Sequence, residues 1–295
     1  MERAWHDRPV TARLPLMWRT VLGLVRACHP EPAAAVTVVA GLLAWGVGHT
    51  GAGIASVVAT VLASQLAVGW SNDRLDADRD ELVGRADKPV VAGTVSRRTL
   101  GTGAVLAALA APLVALTTNP VAALCATVGL VSALLYNWPL KSTPVSVVPY
   151  AVSFGSLPAF VVLALPGTPA PPVWQVAAGA LLGAGAHFAN VLPDLADDAR
   201  TGVHGLPHRL GATGSGVAAA GLLLAATLTL VLGPAGRPSW AGLSAVAAAA
   251  VVPPLSWYGS RRAVRVGARP VGVFRGVLLV ALLDVVLLVA SGRVL

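Results

Sequence analysis

Runs of about 20 apolar residues recur along this chain from end to end, the length a helix needs to cross a hydrocarbon core about 30 Å thick. Nine can be read: Ala33–His49, Gly53–Trp70, Leu100–Leu116, Val121–Tyr136, Val145–Leu165, Val173–Val191, Gly214–Leu232, Trp240–Trp257 and Val271–Ala290. The breaks fall at turn-forming stretches such as Thr50-Gly51, Asn119-Pro120, Pro166–Pro172 and Gly233–Pro238. Only 12% of the 295 residues are charged, against about 25% in a soluble domain. The expected fold is therefore all-α: a polytopic membrane protein of nine transmembrane helices, forming one domain over residues 1–295. Residues 1–26 form a basic segment ahead of the first run, and no cleavable signal peptide is evident.

Lys and Arg favour cytoplasmic loops. If the sides alternate from a cytoplasmic N-terminus, 19 of the 21 basic residues fall on the inner side, including Arg3, Arg8, Arg13 and Arg269; Arg237 and Arg293 are the two outside. One missed helix would scramble that split, so it supports both the count and the orientation. The expected location is the plasma (inner) membrane. The net charge of +8 is mostly this topology signal, and it also favours anionic lipid head groups or a phosphorylated substrate. No soluble basic domain is present, which argues against nucleic acid as a partner. Cys28 and Cys125 have no metal-ligand spacing and read as apolar fillers.

Against this background, "GWSNDRLDADRDELVGRADKPVVAG", Gly69–Gly93, holds six of the chain's 13 acidic residues. A second cluster, "HFANVLPDLADDARTGVHGLPHRLG", His187–Gly211, holds Asp194, Asp197 and Asp198. Asn72, Asp76, Asp80 and Gly93 recur as Asn190, Asp194, Asp198 and Gly211, each 118 residues later. Each cluster closes a predicted helix, the second and the sixth. The chain thus reads as two repeated four-helix units plus a ninth helix.

A spacing of four puts Asn72, Asp76 and Asp80, and likewise Asn190, Asp194 and Asp198, within about 80° of one helix face. Crowded carboxylates repel one another and favour protonation. A divalent cation relieves that cost, and these hard oxygen ligands suit Mg²⁺. Mg²⁺ commonly completes its shell with waters and substrate phosphates. Basic residues stand ready nearby: Arg85 and Lys88 after the first cluster, Arg200 after the second, and Lys141 in the loop between. Acids for metal and bases for phosphate, at the mouth of a bundle in lipid, point to a lipid diphosphate.

These segments resemble the UbiA superfamily of intramembrane prenyltransferases. Asn72-Asp73-x2-Asp76-x3-Asp80 is similar to that family's first Asp-rich motif, and "DKPVVAG", Asp87–Gly93, to the segment that follows it, with Ala92 in place of the usual Ser. "LLYNWPLKSTP", Leu134–Pro144, resembles its Tyr-and-Lys loop through Tyr136 and Lys141, and "DLADDARTG", Asp194–Gly202, its second Asp-rich motif. The resemblance implies nine helices around a central cavity open sideways to the membrane, and Mg²⁺-dependent transfer of a prenyl group from its diphosphate to a hydrophobic or aromatic acceptor. It implies one ion held by Asp73, Asp76 and Asp80 and another by Asp194 and Asp198, with Asn72 and Asp197 assisting. Lys88, Lys141 and Arg200 would clamp the departing diphosphate, and Tyr136 would touch a phosphate oxygen or flank the cation.

Three residues remain open at this stage. Family members often carry Arg-Pro where this chain has His29-Pro30; His29 and Glu31 either orient a polar acceptor or cap the helix, and capping is favoured. Asp284 sits inside the ninth run, where an acid is costly and commonly faces the bundle interior. It is either an acceptor-binding or proton-accepting group in the cavity, or an acid tied to a neighbouring Ser, Thr or carbonyl. His187, seven residues before Asp194, either shares the cavity face or packs between helices, and packing is favoured. Two alternatives to aromatic prenylation use the same motifs: transfer to a sugar phosphate, and cyclisation of the prenyl chain, which favours more than the 5% aromatic content found here. A proton-relaying transporter fits less well, because the acids cluster at one membrane face.

Overall fold

The structure is a computed structural model that describes residues 16–265, 272–290 and 294. Arg3, Arg8, Arg13, Arg269 and Arg293 lie outside the described residues, as does the start of the basic N-terminal segment. Every element described is helical. In chain order these are α1 (Leu16–Ala27), α2 (Pro30–Gly46), α3 (Gly51–Leu82), α4 (Arg97–Ala115), α5 (Pro120–Asn137), α6 (Val147–Leu163), α7 (Val173–Val191), α8 (Leu195–Arg200), α9 (Leu206–Leu232), α10 (Trp240–Arg265) and α11 (Gly272–Ala290).

Each of the nine apolar runs lies on its own helix. By length and mean hydropathy, however, six described helices qualify as membrane spans, or seven if α1 and α2 form one bent span. The physical reason is local: α2 and α6 have only 17 residues each, and α7 carries Gln175, His187 and Asn190 within its 19. The chain is an integral, all-helical membrane protein, and the number nine is not fixed by length and composition.

Local chemistry sets the helix starts. Ser96 Oγ accepts the Thr99 N–H at 3.0 Å to cap α4, and Asn119 Oδ1 accepts the Ala122 N–H at 2.8 Å to cap α5, with Pro120 in the first turn. Helix α3 has no internal proline and runs for 32 residues, about 48 Å by its rise. That exceeds the hydrocarbon core, so its last turns carry Asp73, Asp76 and Asp80 to the mouth of the bundle.

The repeat is written into the backbone. Gly93 and Gly211, 118 residues apart, adopt left-handed φ of 65° and 68°, which a side chain would resist. Gly84 and Gly202, at the same offset, have φ of 71° and 80°. The two units nevertheless differ where it matters. Asn190, Asp194 and Asp198 do not share one helix face: α7 stops at Val191, the chain turns, and Asp194 becomes the N-cap of the six-residue α8. Pro193 stands at the break and has no N–H to give the helix; Leu192 before it still keeps helical angles of φ −51° and ψ −43°. The matching position in the first unit is Leu75, and α3 passes through it unbroken.

Two contacts tie the first unit to the chain's start. The Trp70 indole N–H donates to the Leu24 carbonyl at 2.9 Å. One residue earlier, Gly69 lets α3 meet the α1–α2 junction: a Cβ there would lie 2.8 Å from the Cys28 Cα and carbonyl oxygen. At the other end of the bundle, the Thr227 hydroxyl of α9 donates to Asp284 of α11 at 2.6 Å.

Gly69→Ala should therefore cost about 1–3 kcal/mol by overpacking, read as a lower midpoint of thermal unfolding in detergent. Gly221→Ala is the internal control. A Cβ there meets nothing within 4 Å, so the substitution should be neutral or stabilising by up to about 1 kcal/mol through helix propensity.

Candidate active site

Helices α2, α3, α5, α6, α7 and α11 enclose a cavity of about 360 Å³. Its wall changes character along the bundle. At the end where α3 and α7 terminate it is lined by Asn72, Asp76, Arg79, Asp80, Arg85, Lys88, Lys141, Asp194, Asp197 and Asp198. Deeper in, it is lined by residues such as Val36, Ala133, Phe154 and Leu278. The cavity therefore pairs a charged pole with an apolar body.

The first wall is α3 and the turn after it. Asp76 is almost buried and accepts hydrogen bonds from Asn72 Nδ2 (3.1 Å), Lys141 Nζ (2.6 Å) and the Arg79 guanidinium. Asp73, 2% exposed, faces a separate set: Lys88 Nζ at 2.6 Å and His29 Nε2 at 3.0 Å. Buried carboxylates in so apolar a protein require such partners. Asp80 completes the stripe at 9% exposure. Burial pushes the Lys141 ammonium down to about 8, while the Asp198 carboxylate pulls the other way.

The second wall is the α7–α9 connection. Arg85 joins the two walls, donating to Asp194 Oδ1 at 3.2 Å while it also holds Asp87 at 2.9 and 3.0 Å. His208 Nε2 lies 3.3 Å from Asp198 Oδ2 with its side chain 7% exposed. Below the charged pole, Tyr136 and Tyr150 meet edge to face with ring centres 4.7 Å apart, and Phe154 stacks on Tyr150 at 6.1 Å. The Tyr150 hydroxyl accepts from Asn190 Nδ2 at 3.1 Å.

Thus Asn72, Asp76, Asp80, Arg85, Lys88, Lys141, Tyr136, Asn190, Asp194, Asp197 and Asp198 all border one cavity. Of the other candidates, His29 also borders this cavity, and the rest stand elsewhere. Asp73 sits behind this lining, walled off by His29 and Lys88. Arg200 is 74% exposed and faces Asp197 at 3.7 Å, because the six-residue α8 turns it outward. His29 does not cap α2 with its side chain; its backbone takes a left-handed φ of 54° and its ring reaches Asp73 instead. His187 is 1% exposed, bonded to Ser146 Oγ at 3.0 Å and packed against Tyr136, Tyr150 and Phe188. Asp284 lies outside the main cavity, beside a separate void of about 30 Å³, and is bonded to Thr227.

The sequence reading missed Arg79 and Tyr150. Arg79 follows Asp76 by three residues and shares its helix face, a signal that spacing alone could have given. Tyr150 carried none, since only the α6–α7 packing brings it under the charged pole.

Among the described residues, no group of three or more His, Cys, Asp or Glu side chains stands close enough to form a preformed metal site. The donors at the pole are nonetheless all hard oxygens, and each of Asp73 and Asp76 is compensated by Lys or Arg, which marks a place where positive charge is needed. By donor chemistry the acids fit a hard divalent cation.

The fold agrees with solved structures. A UbiA homolog from Aeropyrum pernix K1 aligns with a TM-score of 0.69 at 22% identity, over 89% of this chain and 96% of its own. A UbiA homolog from Archaeoglobus fulgidus bound to GPP and Mg²⁺ aligns with a TM-score of 0.68 at 14% identity, over 92% and 98%. A structure described under digeranylgeranylglyceryl phosphate synthase aligns with a TM-score of 0.63 at 16% identity, over 94% and 99%. A comparison with curated proteins found no match. The profile of the UbiA prenyltransferase family matches residues 33–290, which include both acidic segments and every helix around the cavity. The chain belongs to the UbiA prenyltransferase family.

Proposed function

We propose that the protein moves a prenyl group from a prenyl diphosphate to a hydrophobic acceptor, most closely of the aromatic, quinone-precursor type, with Mg²⁺ held by the acidic segments. The observation that carries this reading is the cavity itself. Acidic residues from two chain segments and the cations Arg79, Arg85, Lys88 and Lys141 meet at one pole of an otherwise apolar chamber. A polar diphosphate head and a hydrocarbon tail need those two environments side by side. The Archaeoglobus fulgidus homologs bound to GPP or DMAPP with Mg²⁺ support the substrate class.

Asp76, Asp80, Asp194 and Asp198 would hold the metal, with Asn72, Asp73, Asn190 and Asp197 around them. When bound, the metal offsets the negative charge of the diphosphate. Lys88, Lys141, Arg79 and Arg85 donate to the diphosphate oxygens, which stabilises the charge that grows there as the C1–O bond breaks. Tyr136 and Tyr150 present ring faces and edges just below, where an allylic cation forms. The acceptor then gives its electron pair to C1 and loses a proton, and inorganic diphosphate departs. The aromatic wall of Tyr136, Tyr150 and Phe154 also suits a cyclase, since ring faces stabilise a cation captured within its own chain. A cyclic hydrocarbon formed without any added acceptor would favour that reading.

The acidic pole is proposed to face the cytoplasm of an inner membrane, on the strength of the 19-of-21 split of basic residues. Asp87 is 63% exposed. In a background lacking Cys28 and Cys125, Asp87→Cys should resist a membrane-impermeant thiol reagent applied to intact cells and react in inverted vesicles. Efficient labelling of intact cells would reverse the orientation.

Asp194→Ala and Asp76→Asn should each lower the rate of diphosphate release by about a hundredfold or more, with thermal unfolding in detergent close to wild type for Asp194→Ala, whose side chain is 38% exposed. Assays combine purified protein, Mg²⁺ and geranyl or farnesyl diphosphate, and mass spectrometry follows the product. A wild-type rate in Asp194→Ala would remove the second acidic segment from the chemistry.

A further inference from the structure

Helix α1 (Leu16–Ala27) takes no part in the cavity wall, and its surface is unlike that of its neighbours. It leaves the axis of α2 by 66°. Met17, Trp18, Val21, Leu22 and Val25 are all exposed, at 69, 54, 42, 38 and 50%. At 100° per residue these five cover an arc of about 140° that contains no polar side chain. The opposite side, Gly23 and Ala27, is buried against the rest of the protein. Arg19 and Arg26, seven residues apart, fall within about 20° of each other along one edge of the apolar arc. Neither makes an ion pair or side-chain hydrogen bond among the described residues, and Arg19 Nε is buried without a partner.

The bend argues against the simplest explanation of that apolar face, that α1 continues the α2 span. Helix α2 has 17 residues, about 26 Å by its rise, close to the hydrocarbon thickness without help from α1. If α2 crosses the membrane, a helix inclined 66° to it lies much nearer the membrane plane than its normal. The hinge falls at the charged pole, because His29 at the start of α2 touches Asp73. An apolar arc with a Trp, edged by Arg19 and Arg26 and lying flat at the bundle's mouth, matches a helix seated at a lipid head-group boundary.

We infer that α1 is an in-plane membrane-surface helix whose apolar arc enters the leaflet at the mouth of the cavity and whose Arg19 and Arg26 bind anionic lipid phosphates. The surface also bears on the site. Trp70, just before the first acidic segment, is bonded to the Leu24 carbonyl, so the lipid-seated helix buttresses α3 where that segment begins. The inference stands on geometry alone and does not depend on the transfer reaction.

The test uses the full chain in lipid nanodiscs with a spin label placed singly by Met17→Cys, Val21→Cys or Val25→Cys, after Cys28→Ala and Cys125→Ala. In discs containing phosphatidylglycerol the three labels should report one shallow depth, accessible to oxygen. A depth that increases by about 12 Å from position 17 to position 25 would make α1 part of the α2 span and overturn the inference. Exposure to a water-soluble relaxant in place of oxygen would overturn it as well. Arg19→Gln with Arg26→Gln, or discs of phosphatidylcholine alone, should lower oxygen accessibility at Val21→Cys by about twofold or more; no change would overturn the role of anionic lipid. Trp18 offers a measure free of labels. The fluorescence lost in Trp18→Phe should be quenched by lipids brominated near the head group more than by lipids brominated at the chain ends, and the reverse order would count against the shallow placement.

Discussion

The structure turns on carboxylates buried at the end of an oily bundle. Asp73, Asp76 and Asp80 are each 9% exposed or less, and a carboxylate removed from water without a partner is among the costliest things a protein can contain. The partners of Asp73 and Asp76 are drawn from four stretches of chain. His29 comes from the α1–α2 hinge, Lys88 from the turn after α3, Lys141 from the loop after α5, and Arg79 from α3 itself. Satisfying Asp73 and Asp76 therefore draws four segments to one point. The same neutralisation leaves a pole where acids and bases alternate within a few ångströms, the composition a metal-bound diphosphate would ask for.

The helical scaffold serves that point more than it defines it. Trp70 and Gly69 lock α3 against the α1–α2 junction, and this fixes His29 beside Asp73. Asn137 at the end of α5 donates to the Val68 carbonyl at 2.9 Å and to Ser71 Oγ at 2.7 Å, which holds the Lys141 loop next to the same turn of α3. Ser146 Oγ accepts the Leu206 N–H at 3.0 Å and so joins that loop to the start of α9. Small residues and polar caps at the mouth set distances between elements that apolar packing alone would leave loose.

Much of this was legible in the sequence, for physical reasons. Apolar run length gave the helical membrane class, and the regular spacing of Asn72, Asp76 and Asp80 gave the first acidic face, because helix period and carboxylate chemistry are both local. Matching Asn190, Asp194 and Asp198 by offset found the second segment but assigned it the wrong geometry, since Pro193 overrides the periodicity. Burial of Asp73 behind His29, the outward turn of Arg200 and the withdrawal of Asp284 to Thr227 depend on contacts between helices far apart in sequence. No spacing rule reaches those. His29 illustrates the limit: its neighbour Pro30 suggested a cap, and only the approach of α3 to the hinge shows a ring aimed at an acid.

One substitution between the repeats has a mechanical meaning. Leu75 lets α3 run straight through its acids, whereas Pro193 cuts the equivalent segment into a short helix bounded by turns. A molecule built from two like halves thereby acquires one jaw on an unbroken helix and one on a broken helix. Asp76 rides on a rod nearly 50 Å long by helix rise, while Asp194, Asp197 and Asp198 ride on a link of six residues and its flanking turn. Whatever enters between them meets one continuous helix on one side and a six-residue helix set between turns on the other, so symmetry of sequence becomes a division of labour.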